Sequence, residues 1–312
     1  MLTLRRIREV PPNFDAFVEE VGTGLGALYG PAAEQEYRAT ARARVAKILG
    51  YPSVVAYGAF EDGDAAGMAM GVRRPDAAHI TFLHVLRGHT GAGVEEELIE
   101  AIVHEFRRLG VPGVVSEFVP HCLLNEEAVY RRLGFTKSDR AIMGRFLEDT
   151  SEAVEGDPVS RIVSPGEERD VAGTIVEAYR NHPDRALHPE VRDVDSALRF
   201  VESIQAGNFG RFEPDYARAL DGKGDLAGII LGCETTANVG FVLMVSVAPE
   251  FQGQGQGEML MRNLLREFQG FGLERVALGV TLDNPAVRLY ERLGFSVLKT
   301  IRAYAWWPEY AA

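Results

Sequence analysis

Three alternating glycines stand between a strongly apolar segment, Val239–Val247, and a helical pattern. They belong to the stretch Gln252-Gly253-Gln254-Gly255-Gln256-Gly257. Glycine lets the backbone adopt positive φ and pass close to a ligand, and a helix start presents free N–H groups and the positive end of its dipole. Because no Gly-Lys-Ser/Thr follows, the stretch differs from a P-loop. It predicts a phosphate or pyrophosphate cradle without a lysine; the alternative is a turn that only lets the strand and helix pack.

Two further polar residues follow the next apolar strand, Arg275–Val280. Asn284 directly precedes a proline, a position typical of a helix cap. Tyr290 closely precedes the segment Leu293-Gly294-Phe295. A phenol keeps its proton at neutral pH, since its ordinary pKa is about 10, and can therefore serve as a general acid. The alternatives are that Tyr290 is a half-buried core aromatic and that Asn284 only caps a helix.

The histidines and cysteines do not indicate a metal site. The seven histidines show neither the His-x-x-x-His nor the His-Glu-x-x-His spacing. Two cysteines, Cys122 and Cys233, are too few for a disulfide framework or a Cys-rich zinc module. We therefore expect no catalytic metal.

The charge balance argues against two classes of partner. The chain has 33 Lys and Arg against 45 Asp and Glu, a net charge of −12. A nucleic-acid binder needs a basic face, and so does a surface held on anionic lipid. Apolar runs fall well short of the ~20 residues of a bilayer span, and the charged start Met1–Ile7 does not resemble a signal peptide. We expect a cytoplasmic protein that binds neither nucleic acid nor membrane; its oligomeric state is left open.

The chain repeats itself at an almost constant offset. Three segments recur in the same order, separated by 161, 162 and 160 positions. The matching residues are Gly63 and Gly224, Leu98 and Leu260, and Tyr130 and Tyr290. Such a period is too long for a solenoid. The sequence therefore predicts two similar domains, 1–148 and 159–312, joined by an acidic linker at 149–158.

Each half has the same order of predicted elements. A strand and two helical segments come first, then apolar strands, a Gly-rich turn, an amphipathic helix, a buried strand, a short helix and final strands. The apolar residues of the amphipathic helices, at i, i+3 and i+4 spacing, are Leu98, Ile99, Ile102, Val103 and Phe106 in the first half and Leu260, Met261, Leu264, Leu265 and Phe268 in the second. The Gly-rich segment Gly22–Gly26 is predicted to be a loop. A strand, helix and strand around a turn require a parallel pair, so the fold class is α/β or α+β, twice over.

The two polar motifs together resemble a known family. Val247-Ala248-Pro249 followed by Gln252 to Gly257 looks like the acyl-CoA signature of the GNAT superfamily of N-acetyltransferases, and Asn284 to Phe295 resembles its second signature. The resemblance covers roughly residues 159–312, and the first half shares it more weakly. It implies that each domain is a mixed, twisted sheet flanked by helices, with two central strands that splay apart around acetyl-CoA.

The resemblance also implies residue roles. The backbone from Gln252 to Gly257 would bind the CoA pyrophosphate, and the strand Val245, Ser246, Val247 would offer backbone groups to the substrates. Asn284 would hydrogen-bond the pantetheine arm or the backbone around it, and Tyr290 would protonate the departing thiolate. Some members carry a glutamate on the strand before the loop, where this chain has Phe241. The general base is therefore either Glu234 or a water molecule.

The activity implied is acetyl transfer from acetyl-CoA to a primary amine of a small molecule or peptide, by direct attack within a ternary complex. The alternatives are a CoA-binding or scaffolding protein without turnover, and the transfer of a succinyl or longer acyl group. Residues 1–150 carry a net charge of −4 and the remainder −8. Because the second half is the more acidic one, it predicts a preference for cationic or polyamine-like acceptors.

The first half departs from the pattern at its Gly loop. Its stretch Thr90-Gly91-Ala92-Gly93-Val94-Glu95 aligns without a gap to Gln252–Gly257, which places Glu95 opposite Gly257. A carboxylate in the first turn of a helix favours the helix but repels a pyrophosphate. We expect the first half to be degenerate, to bind CoA poorly or not at all, and to serve as a structural partner.

Overall fold

The structure, a computed structural model, describes residues 2–117, 126–147, 160–222, 224–236 and 238–308. The chain divides into two compact units, one comprising Met1–Asp139 with Ile301–Ala312 and the other Arg140–Thr300. The predicted linker at 149–158 lies outside the described residues. The domain limits 1–148 and 159–312 stay a prediction. They follow the repeat in the sequence, whereas the compact units place residues 140–147 in the second unit and residues 301–308 in the first.

The first unit is a mixed sheet with helices. Its elements are β1 Thr3–Arg6, α1 Phe14–Tyr29, α2 Pro31–Leu49, β2 Val54–Glu61, β3 Asp64–Arg73, β4 Ala78–Val85, α3 Val94–Arg108, β5 Val114–Ser116, α4 Glu126–Arg132 and the start of β6, which spans Thr136–Phe146. Strands β1 to β4 pair in order and antiparallel, and β5 pairs parallel with β4. On its other side β5 pairs with Tyr304–Trp306, the end of the last strand of the chain.

The second unit repeats this order. Its elements are β7 Arg161–Ile162, α5 Glu168–Tyr179, α6 Val194–Gln205, β8 Ala217–Asp221, β9 Leu226–Thr236, β10 Val239–Val247, α7 Gln256–Gly270, β11 Arg275–Thr281, α8 Val287–Arg292 and the start of β12, which spans Ser296–Trp306. Strands β7 to β10 pair in order and antiparallel, and β11 is parallel to β10. The far side of β11 pairs antiparallel with Arg140–Phe146 of β6. The predicted α/β class is confirmed in both units.

The amphipathic helices form the centre of each core. Every apolar residue predicted for the buried face of α3 and of α7 is fully buried. In α7 these side chains pack against strands β8 to β11, together with Tyr290 and Phe295. Because α7 begins at the Gly-rich loop, this packing fixes the position of that loop relative to the sheet.

The prediction of a loop at Gly22–Gly26 is wrong, since these residues lie inside α1. Gly26 serves packing, since its Cβ would lie 3.0 Å from Cβ of Glu34 on α2, whereas a Cβ on Gly24 would meet no atom within 4 Å. A residue that disfavours a helix by about 1 kcal/mol is tolerated here because it allows two helices to approach closely. Among the described helices, none has the length and apolarity needed to cross a bilayer.

Candidate active site

The parallel pair at the centre of the second unit separates along its length. Strand β10 pairs with β11 only from Val239 to Val242. Both strands continue beyond this point, β10 to Val247 and β11 to Thr281. On its other side β10 stays paired with β9 to the end, across an irregularity between Val242 and Met244. The backbone of β10 from Leu243 onward therefore has one edge that the described sheet does not use, and this edge includes the predicted residues Val245, Ser246 and Val247.

The side chains of these three residues are placed differently. Val245 and Val247 are half-buried and pack against the core around α7. Ser246 is 2% exposed, and its Oγ has no hydrogen-bond partner among the described residues. A nucleophilic serine needs a base within hydrogen-bond reach, so the structure gives Ser246 no such role.

The Gly-rich loop is shaped by its glycines and by its glutamine side chains. Gly253 and Gly255 have φ of 73° and 81°, and a Cβ added to either would meet no atom within 4 Å. Nε2 of Gln252 donates to the carbonyl of Val247 at 3.0 Å, and Nε2 of Gln254 donates to the carbonyl of Glu250 at 2.9 Å. The two glutamine side chains are thus hydrogen-bonded within the loop, and they do not fill the space beside Gly253 and Gly255.

The loop leaves a row of backbone donors free. Helix α7 begins at Gln256, and its first backbone hydrogen bond runs from the N–H of Met259 to the carbonyl of Gly255. The N–H groups from Gly253 to Glu258 have no acceptor among the described residues. Free donors at a helix start attract an anion. This geometry fits a pyrophosphate at Gly253 to Gly257. The predicted contribution of Gln252 does not fit, because its N–H donates to the carbonyl of Pro249 at 3.3 Å.

Tyr290 lies on α8, beside the open ends of β10 and β11. Its side chain is 6% exposed, and its ring packs against Phe295 with centroids 6.1 Å apart. Burial raises the pKa of Tyr290 to about 12, while the charge of Arg140 lowers it and that of Asp184 raises it. The hydroxyl has no hydrogen-bond partner among the described residues. Tyr290 therefore keeps its proton at neutral pH and has it available to donate.

Asn284 caps the turn that leads into α8. Its Oδ1 accepts the N–H of Ala286 at 2.9 Å. Its Nδ2 donates to Oδ2 of Asp184 at 3.3 Å and lies 3.4 Å from Nε2 of His182. The amide therefore connects the α8 turn to the segment after α5, and a contact with pantetheine stays a prediction.

The segment after α5, which the sequence leaves open between a surface loop and a substrate contact, places His182 and Asp184 next to Asn284. Asp184 is only 5% exposed, and its backbone N–H donates to Nδ1 of His182 at 3.1 Å. Burial lowers the pKa of His182, so its ring is neutral at neutral pH. The ring of Tyr179 packs on that of His182 with centroids 4.9 Å apart. Among the described residues, no group of His, Cys, Asp or Glu is arranged to hold a metal ion.

A buried arginine behind the site was also missed. Arg140, on β6, is 3% exposed. It donates to Oγ1 of Thr281 at 3.3 Å and lies 3.3 Å from Nε2 of His188. Nothing in the local sequence around Arg140 indicated burial, because its place beside β11 comes from strand pairing between residues 141 positions apart.

Glu234 lies at the wrong end of β10 to serve as the base. It pairs with Gly240, near the start of the strand, whereas Val247 pairs with Gly228. Six residues of strand separate Gly240 from Ser246, or roughly 20 Å. The carboxylate is engaged there, with Arg211 at 3.3 Å and the N–H of Asn238 at 3.3 Å. The structure therefore removes Glu234 as a candidate base.

A family model supplies the observation that identifies the chain. The acetyltransferase (GNAT) family model matches residues 24–135 and, again, residues 179–295. The chain belongs to the GNAT acetyltransferase family. It carries two GNAT domains and is an acyltransferase.

Individual proteins agree with this assignment. The chain is 29% identical to a mycothiol acetyltransferase of Pseudarthrobacter chlorophenolicus over 248 residues, which is 75% of this chain and 72% of that protein. A GCN5-related N-acetyltransferase from Sphaerobacter thermophilus matches with a TM-score of 0.68 and 19% identity, over 98% of this chain and 95% of that chain. A tandem GNAT protein from the clavulanic acid biosynthesis pathway matches with a TM-score of 0.57 and 13% identity, over 98% of both chains. The last two similarities establish the fold.

The two GNAT domains differ at the Gly loop. In the first domain Gly91 and Gly93 both have φ of 80°, and α3 starts directly after them, as α7 does after Gly255. However, Oε1 of Glu95 accepts the N–H of Gly91 at 3.2 Å. Glu95 thus accepts a hydrogen bond from the N–H of Gly91. The corresponding N–H in the second domain, that of Gly253, has no acceptor among the described residues.

The tyrosines differ as well. Tyr130, the counterpart of Tyr290, is 1% exposed, and its hydroxyl donates to Oγ of Ser116 at 2.9 Å. Its ring also stacks on that of Tyr304 with centroids 4.1 Å apart. Because its hydroxyl is bonded inside the core, Tyr130 has a structural role, whereas the hydroxyl of Tyr290 is free.

Proposed function

We propose that the protein transfers an acetyl group from acetyl-CoA to a primary amine of a small molecule or peptide, and that its second GNAT domain carries the active site. The observation that supports this most directly is the row of free N–H groups from Gly253 to Glu258, next to the separated strands β10 and β11. In the first domain the corresponding loop is bound by its own Glu95. Among the described residues, the second domain therefore combines a row of donors without an internal acceptor and a tyrosine with a free hydroxyl, whereas in the first domain Glu95 holds the N–H of Gly91 and the hydroxyl of Tyr130 is bonded to Ser116.

The residues present fit CoA. The N–H groups of Gly253 to Gly257 would hold the pyrophosphate, and the absence of side chains at Gly253 and Gly255 lets it approach the backbone. The unpaired edge of Val245–Val247 would bind the amide groups of the pantetheine arm. When bound, acetyl-CoA supplies a thioester carbonyl, which an amine can attack.

The protons move through this chain's own groups. An acceptor amine is protonated at neutral pH, because its ordinary pKa is near ~10.4, and it must lose a proton before it can attack. As the C–N bond forms and the C–S bond breaks, Tyr290 gives its proton to the sulfur and recovers one from the acceptor nitrogen. N–H groups on the open edge of β10 would stabilise the negative oxygen that develops between these steps.

A thiol-release assay tests this proposal. Purified protein with acetyl-CoA is screened against amino-acid amides, aminosugars and diamines, and acetylated products are identified by mass spectrometry. We expect CoA release that depends on one class of amine. CoA binding without thiol release from any amine would favour a scaffolding protein. Mass spectrometry of a thioester that copurifies with the protein would detect a succinyl or longer-chain donor.

A second candidate is an activity similar to that of mycothiol synthase, the mycothiol acetyltransferase. The similarity to the Pseudarthrobacter protein over three quarters of the chain favours it, whereas Phe241, where a glutamate base is expected, departs from it. The formation of mycothiol from its unacetylated amine would distinguish this activity from the general one.

We expect the wild-type chain to bind one equivalent of CoA. Because Glu95 holds the N–H of Gly91, the Glu95→Ala variant should gain a second, weaker site while the first keeps its affinity. Calorimetric titration with CoA measures both. Two equivalents of CoA bound by the wild type would show that the first-domain loop is open, and unchanged stoichiometry in the variant would show that Glu95 is not what closes it.

A further inference from the structure

Asp184 is a buried carboxylate that lacks a cation. It is 5% exposed, and no Lys or Arg of the described residues forms an ion pair with it. Its Oδ2 accepts from the neutral amide of Asn284 at 3.3 Å. The remaining neighbour is Nδ1 of His182, 3.8 Å away, which already accepts the backbone N–H of Asp184.

The histidine does not neutralise this charge. Burial lowers the pKa of His182, and its Nδ1 lone pair faces a donor, so the ring is neutral at neutral pH. Charges buried in proteins are ordinarily paired, because an unpaired one loses its hydration without compensation. A cationic ligand would therefore supply the charge partner that the buried carboxylate of Asp184 lacks.

The position of Asp184 relates it to the reaction. Asn284, its hydrogen-bond partner, begins the turn that carries Tyr290 on α8. Burial raises the pKa values of Tyr290 and Tyr179, and the charge of Asp184 raises both further. The other charged groups around these phenols are Arg140 and Glu190; Glu190 is hydrogen-bonded to Nδ1 of His188 at 2.8 Å.

We propose that Asp184 binds the ammonium group of the acceptor and accepts its first proton, which makes the acceptor a compound whose reactive amine enters as a cation. This inference rests on the proposed function. It supplies the base that the sequence did not show. The acceptor nitrogen loses two protons in total: one passes to Asp184 and then to solvent, and the other replaces the proton that Tyr290 gives to the sulfur.

The Asp184→Asn variant keeps an oxygen for the amide of Asn284 but removes the charge. With the best amine of the thiol-release screen, we expect kcat/KM for the amine to fall at least about 30-fold, through a higher KM because the charge is lost and a lower kcat because the proton acceptor is lost, with the Kd for CoA within about twofold. The matched control is Asp195→Asn, a loss of the same charge at an exposed ion pair with Arg169. It should change kcat/KM less than twofold.

A binding measurement keeps this test independent of turnover. Putrescine, glucosamine and glycinamide hydrochlorides are titrated calorimetrically into CoA-saturated wild type and Asp184→Asn, with N,N′-diacetylputrescine, N-acetylglucosamine and N-acetylglycinamide as uncharged controls. If an ammonium probe binds the wild type but not Asp184→Asn, the proposal is supported. This holds even if the wild type releases no thiol, a result that would contradict only the proposed acetyl transfer. Equal binding by both proteins, or no binding of any probe by the wild type, would overturn it. Should Asp184→Asn fail to fold, equal wild-type binding of charged and N-acetylated probes would overturn it too.

Discussion

Replacing Gly255 with leucine should raise the Kd for CoA at least about 100-fold, or ~2.8 kcal/mol. Gly255 precedes α7 with φ of 81°, and open space lies where its Cβ would stand. A leucine there would project into the space proposed for the pyrophosphate and distort the row of N–H groups. Calorimetric titration with CoA measures the change.

The first domain offers a matched control for this substitution. Gly93 precedes α3 with φ of 80°, and its Cβ would likewise meet no atom within 4 Å. Gly93→Leu should therefore carry the same conformational strain, about 1–2 kcal/mol of unfolding free energy, and leave the Kd for CoA unchanged. Equal losses of CoA affinity in the two variants would mean that the second loop is a packing turn.

Replacing Tyr290 with phenylalanine should lower kcat by about 100-fold or more, with the Kd for CoA within about twofold. The hydroxyl has no partner in the described part of the molecule, so its removal breaks no internal hydrogen bond. Since its pKa is raised to about 12, the acid stays protonated, and kcat of the wild type should show no loss from this group between pH 7 and about 10. Steady-state thiol release across this pH range checks both statements.

Tyr130→Phe is the corresponding control in the first domain. It removes a buried hydrogen bond to Oγ of Ser116, so it should cost about 1 kcal/mol of unfolding free energy and leave kcat unchanged. If Tyr290→Phe kept full kcat with a good acceptor, Tyr290 would have no part in proton transfer. A loss of kcat in Tyr130→Phe as large as in Tyr290→Phe would place the chemistry in both domains.

The features that depend on the residue types of short segments could be predicted from the sequence. The repeat follows from three segments at one offset, and the buried faces of α3 and α7 follow from the 3.6-residue period of a helix. The cradle at Gly253 and Gly255 follows from glycine's access to positive φ directly before a helix. For the helix faces and the cradle, the physical cause acts within a few residues of the chain, so a short stretch of sequence is enough to predict them.

The features that depend on contacts between distant segments could not be predicted from the sequence. Asp184 and Asn284 meet across 100 positions of sequence, and the sequence around Asp184 resembles an ordinary surface turn. The sequence of a strand does not show which residues of the neighbouring strand it pairs with. Glu234 was therefore a candidate base until the register showed that it pairs with Gly240, at the far end of β10 from the site. The glycines of α1 resembled a loop because the close approach of α2 that favours Gly26 is a tertiary contact. Strand register, burial and the pairing of charges arise when segments far apart in sequence pack together, so they are not visible in any local stretch of the chain.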